Sequence, residues 1–144
     1  MNTRDFLRQV VERARTGLSE EIRDFQVIGP WASLVKLHYG DPSVHYEVWV
    51  QRRTGNIEIG LHFEGAPERN SFYLEALIQQ ARHIVSALGP EVEPEQWTAS
   101  WTRIHWPLPV AELDETLLLK VSERLASLMR VLEPMVREVG GHGR

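Results

Sequence analysis

Residues Val44 to Glu64, VHYEVWVQRRTGNIEIGLHFE, constrain this chain more than any other stretch. Val44, Tyr46, Val48 and Val50 alternate with His45, Glu47, Trp49 and Gln51. Beyond Arg53-Thr54-Gly55 the alternation resumes, with Ile57, Ile59, Leu61 and Phe63 set against Glu58, Gly60, His62 and Glu64. Two such runs around a Gly-containing turn predict a β-hairpin. With Thr54-Gly55 as the turn, Arg53 meets Asn56, Val50 meets Ile59, Val48 meets Leu61 and Tyr46 meets Phe63. A one-residue slip would send the whole apolar set to the other face, so the burial pattern disfavours it.

The same register places His45 opposite Glu64, Glu47 opposite His62, Trp49 opposite Gly60 and Gln51 opposite Glu58. Most faces of this kind are solvated ladders of charge pairs. Two imidazoles and two carboxylates are also a donor set for zinc or another divalent ion. His45, Glu47, His62 and Glu64 are therefore candidate metal ligands, although a flat sheet face seldom focuses four side chains on one point. Trp49, Trp101, Arg103 and His105 add aromatic and charged groups suited to a small anionic or planar ligand.

Composition removes several functions. The chain has 144 residues, enough for a single domain over 1–144 with a substantial core. Its net charge of −4 argues against non-specific nucleic-acid binding, which runs on cationic neutralisation of phosphates. Without cysteine there is no disulfide, thiolate metal site or cysteine nucleophile. No apolar run is long enough to span a membrane, and the N-terminus lacks a signal-peptide block, so a cytoplasmic protein is expected. No phosphate loop, nucleophile elbow, zinc-protease helix or calcium loop is present. No cofactor is implied.

Along the chain, Thr3 to Thr16 predicts a helix capped by Thr3 and stopped by Gly17. Gly29-Pro30 reads as a break, and Trp31 to Tyr39 as the first strand. Pro67 to Leu88 predicts one continuous helix whose stripe packs on the Val48/Leu61 face. Glu91, Glu93 and Glu95 read as an acidic loop. Trp97 to Trp106 predicts a fourth strand, returning parallel to the third through a right-handed crossover. Asp114 caps a last helix to about Val139, with Pro134 expected to kink or break it and 140–144 a frayed tail. Its heptad of Leu118, Val121, Leu125, Leu128, Leu132, Met135 and Val139 suits either a core helix or a homodimer seam. The fold expected is α+β in αβββαβα order: a mainly antiparallel four-stranded sheet, one long helix on its apolar face and flanking terminal helices.

That order also matches the core of restriction-endonuclease-like nucleases, but the third strand offers Glu58-Ile59-Gly60 with no lysine. A degenerate relative of such hydrolases is the weakest reading. Tyr46-Glu47, Ile57-Glu58-Ile59, Gly65, Asn70, Gly89, Trp97 and Thr102-Arg103-Ile104 carry a closer likeness. Over about half its length the chain resembles a prokaryotic family of uncharacterised small α+β domains. Members of that family often sit C-terminal to nuclease-like or defence-associated segments. The resemblance implies a non-enzymatic interaction or accessory module, self-associating or bound to a protein partner, with no catalytic residue to carry over.

Overall fold

The computed structural model describes residues 1–140. The expected tail residues 141–144, with His142, lie outside them. Five helices and seven strands follow in the order α1 (Thr3–Thr16), α2 (Glu20–Arg23), β1 (Gln26–Trp31), β2 (Leu34–His38), β3 (Val44–Gln51), β4 (Asn56–Phe63), α3 (Pro67–Ile78), α4 (Ala81–Leu88), β5 (Glu93–Gln96), β6 (Thr102–His105), β7 (Leu108–Pro109) and α5 (Glu115–Gly140). The strands form one antiparallel sheet in the order β1-β2-β3-β4-β6-β5, with β7 pairing the start of β4. The α+β class, the antiparallel sheet and the long C-terminal helix are as expected. The four-stranded count and the αβββαβα order are not.

Three features of the chain account for the difference. Gly29-Pro30 does not end a strand; it lies inside β1 as a bulge, with the β1–β2 register shifting between Ile28 and Trp31. Proline is tolerated there because β1 is an edge strand. The Glu-Pro-Glu-Gln segment read as an acidic loop is β5, the opposite edge, again carrying a proline. β6 runs antiparallel to β4 and forms a hairpin with β5, so the crossover through α3 and α4 returns to β5, parallel to β4 with β6 between them, and the Trp97–Trp106 segment does not run parallel to its neighbour. Both edges are thus blunted by proline, and β5 also by charge.

Helices cover only one side of the sheet. Val35, Leu37, Tyr46, Val48, Ile57, Ile59, Leu61 and Phe63 are fully buried there. α5 lies against this face and against α1, so the long C-terminal helix takes the place expected for the middle one. The heptad residues Leu118, Val121, Leu125, Leu128 and Leu132 are all at 0 % exposure inside the monomer, which makes the seam a core element. Asp114 caps α5 through its Oδ1, which accepts from the Leu117 N–H at 2.9 Å. The helix runs on through Pro134 without breaking. Next to it, buried Glu133 accepts from the Tyr46 hydroxyl and from Arg137 Nε, each at 3.0 Å.

The middle helix is divided at Gln79-Gln80 into α3 and α4, although neither glycine nor proline marks the break. α3 meets the sheet at one end, where Tyr73 stacks on Phe63 at 4.9 Å. At the N-terminus, Asn2 rather than Thr3 is the cap: its Oδ1 accepts from the Asp5 N–H at 2.8 Å. No helix among the described residues is long and apolar enough to cross a membrane.

Candidate metal centre

The hairpin forms, but two residues out of the register expected from its turn. The connection is the four residues 52–55, closed by a Gly55 N–H to Arg52 carbonyl bond and with Gly55 at φ +71°. Gln51 therefore meets Asn56, Val50 meets Ile57, Val48 meets Ile59 and Tyr46 meets Leu61. A shift of two preserves every face, so the apolar set still points inward. What changes is the partner of each polar residue. His45 faces His62, Glu47 faces Gly60 and Trp49 faces Glu58, while the Glu64 N–H bonds to the Ser43 carbonyl.

This register brings the four candidate ligands into one cluster. The imidazoles of His45 and His62 stack at 5.3 Å with 12° between their planes. Glu47 and Glu64 flank them, each turning one carboxylate oxygen to each ring. His45 Nε2 lies 3.0 Å from Glu47 Oε1 and 4.0 Å from Glu64 Oε1. His62 lies 3.2 Å from Glu64 Oε2 through Nδ1 and 3.7 Å from Glu47 Oε2 through Nε2. One donor atom from each residue falls within 4.8 Å of all the others. Although no helix covers this face, His45 and His62 are 1 % exposed and Glu47 4 %. A solvated ladder is therefore ruled out as a description of the cluster.

The hydrogen bond on the far side of His45 fixes its orientation. Nδ1 lies 2.9 Å from the Pro42 carbonyl, which can only accept, so Nδ1 carries the proton. In the neutral ring Nε2 then turns a lone pair toward two carboxylate oxygens. Acceptors so arranged need a proton or a cation between them. A ring N–H bonded to a backbone carbonyl is also the usual outer support of a metal-bound histidine.

Burial pushes the Glu47 carboxyl up, but the hydrogen bond with His45 and the charges of His62, His45 and Lys36 outweigh it and hold the group below its ordinary value. Glu58 follows the same pattern: burial raises it, and the His105 hydrogen bond with the charges of Arg103, His105 and His62 brings it down. Groups with a lowered folded-state pKa contribute stability above their unfolded value and lose it as pH falls through the folded one. The contribution of these two carboxylates to the thermal midpoint is therefore expected to be lost as pH falls below the ordinary value of 4.5. Glu47→Gln is expected to make that acid limb shallower; thermal unfolding across pH measures it.

The chain shows no match to a known protein family, to a characterised protein or to a solved structure. The chemistry of the site thus rests on its own geometry.

Trp49, Trp101, Arg103 and His105 do not converge on one ligand. Trp49 lines a cleft at the hairpin end with Thr3, Ser33, Arg52 and Arg53. Trp101 leans on Trp97 with ring centres 6.0 Å apart and is 38 % exposed. Arg103 is committed to Glu95, with Nε and Nη2 at 2.7 and 2.6 Å from Oε1. His105 Nδ1 bonds Glu58 at 3.0 Å. Arg103 and His105 do lie on the same face as the His–Glu cluster, opposite His62 and Gly60.

Two further residues shape the site in ways their strand positions alone do not show. Trp97 stands edge to face with His62 at 5.4 Å and carries the Arg103 guanidinium 4.7 Å from its ring centre. Gly60 lets β6 approach: a Cβ there would lie 2.8 Å from the Ile104 carbonyl oxygen and 3.2 Å from His105 Cα. Gly60→Ala is expected to push β6 away and to cost about 1–3 kcal/mol in chemical denaturation.

Proposed function

We propose that this protein binds a divalent metal ion through His45, Glu47, His62 and Glu64. The observation that carries the reading is His45, whose proton is held by the Pro42 carbonyl while its other nitrogen faces Glu47 and Glu64. With neutral imidazoles the four groups carry two negative charges, which a divalent cation balances. Two nitrogens and two carboxylate oxygens suit zinc first, with cobalt and manganese as related occupants. The rival occupant is a pair of protons, which makes two imidazolium–carboxylate pairs and stacks two cations at 5.3 Å.

Thermal unfolding after chelator treatment separates the two. Zinc at a hundred times its dissociation constant stabilises a folded protein by about 2.7 kcal/mol. At this size that raises the midpoint by about 5–10 °C. Because binding displaces protons, the shift is expected to shrink on acidification. An unchanged midpoint with zinc, cobalt and manganese would leave the proton-bridged cluster.

An interaction or accessory role, as the family resemblance implies, has one separate support. Phe72, Ile78 and Val85 stand 58 %, 45 % and 41 % exposed on α3 and α4. Light scattering at micromolar concentration is expected to give a dimer mass if these side chains mediate self-association; a monomer mass removes the homodimer.

A further inference from the structure

The tip of the β3–β4 hairpin carries groups that the metal reading does not use. A cleft of about 580 Å³ opens there, lined by Thr3 at the start of α1, by Trp49 and by Arg52 and Arg53 of the turn. That volume lies within the range of small-ligand sites, about 300–1,000 Å³. No carboxylate is among its lining residues. Six other arginines of this acidic chain, Arg8, Arg13, Arg15, Arg69, Arg103 and Arg137, each form an ion pair. Arg52 and Arg53 form none among the described residues. Arg52 instead turns Nη2 toward the Thr3 hydroxyl oxygen at 3.4 Å, a long contact that holds the guanidinium at the cleft wall and leaves its other N–H groups unused.

An aromatic surface adjoins this cationic pair. Trp49 is half-buried and stacks on no other ring among the described residues. It shares a rung of the uncovered sheet face with Leu34 and Trp31, and Trp31 is 60 % exposed. Glu58, across from Trp49 on β4, is drawn away to His105 at 3.0 Å and to Arg103 at 3.9 Å. The nearest acid on that rung is therefore already matched.

Two guanidiniums without a counter-ion supply two positive charges. A phosphate monoester carries about −1.5 to −2 at pH 7 and offers three acceptor oxygens, so it matches the pair in charge and suits the fork of each arginine. A single carboxylate would leave one guanidinium unmatched. An indole face takes a planar ring by stacking. We infer that this cleft binds a small phosphorylated ligand with a planar ring, of the nucleoside monophosphate class. Arg52 and Arg53 hold the phosphate, Thr3 orients Arg52, and Trp49 takes the ring. The cleft shares no residue with the His–Glu cluster, so it stands or falls apart from the metal reading.

Calorimetric titration of the full chain with adenosine monophosphate tests this, with adenosine and inorganic phosphate as partial probes. The nucleotide is expected to bind saturably and at least about tenfold more tightly than either partial probe. Arg53→Gln is expected to weaken both the nucleotide and inorganic phosphate about tenfold, the size of one lost charge-assisted hydrogen bond. The fold is expected to survive it, because Arg53 is exposed in the turn. Trp49→Leu is expected to weaken the nucleotide about tenfold and to leave inorganic phosphate within about twofold. No binding of the nucleotide overturns the inference. Inorganic phosphate bound as tightly as the nucleotide makes this an anion site alone and overturns the role of Trp49. That wild-type comparison decides the point even if Trp49→Leu fails to fold. Nucleotide affinity that disappears once the protein is stripped of metal places the phosphate on an ion and overturns the cleft; equal affinity before and after supports it.

Discussion

Replacing His62 by alanine is expected to lower zinc affinity by at least about a hundredfold. Losing even an outer partner of a metal ligand costs about 10–100-fold, and His62 would be a direct ligand. The fold is expected to survive, because His62 stands on the face that no helix covers, while its strand neighbours Leu61 and Phe63 hold the core at 0 % exposure. Far-ultraviolet circular dichroism checks the fold, and calorimetric titration with zinc checks the affinity. Glu47→Gln is the companion variant. It keeps the volume but removes a charge that faces both imidazoles, at 3.0 Å from His45 and 3.7 Å from His62. If both variants bind zinc as the wild type does, the ion sits elsewhere and the cluster is a set of charge pairs.

Leu125→Glu is expected to unfold the domain outright. Leu125 is at 0 % exposure on α5, in the middle of the heptad that packs against α1 and the sheet. A carboxylate there loses its hydration with no partner and leaves the leucine's packing unfilled. The combined cost is comparable with the whole stability of a typical domain, about 5–15 kcal/mol. Leu119→Glu is the control: Leu119 is 50 % exposed on the same helix, and the change is expected to stay within about 0.5 kcal/mol. Urea titrations of both proteins measure the contrast. A folded Leu125→Glu chain with a reduced assembly mass would instead restore the heptad as a surface seam.

The hairpin was legible because alternation is a property of the strand itself. Its register was not, because turn length is set by how the chain closes, and Arg52-Arg53-Thr54-Gly55 closes as a four-residue loop. The two-residue difference leaves the faces unchanged, since it conserves parity. It hid the point that matters most for chemistry, namely that His45 and His62 face each other and stack. β5 was invisible for a different reason: Glu-Pro-Glu-Gln has little strand propensity and pairs only because β6 lies beside it. The heptad of α5 was plain in the sequence, yet whether it met a second copy or this chain's own sheet depended on tertiary placement. The burial of the His–Glu cluster was likewise unreadable, because it comes from residues distant in sequence, Trp97 among them.

Anomalous X-ray scattering at the zinc absorption edge, from crystals grown with zinc, tests the central claim most directly. One difference peak is expected on the open sheet face, about 2.0–2.2 Å from His45 Nε2, from one His62 nitrogen and from an oxygen of each of Glu47 and Glu64. Crystals that hold zinc only at other positions, with His45 Nε2 still against Glu47, would contradict it.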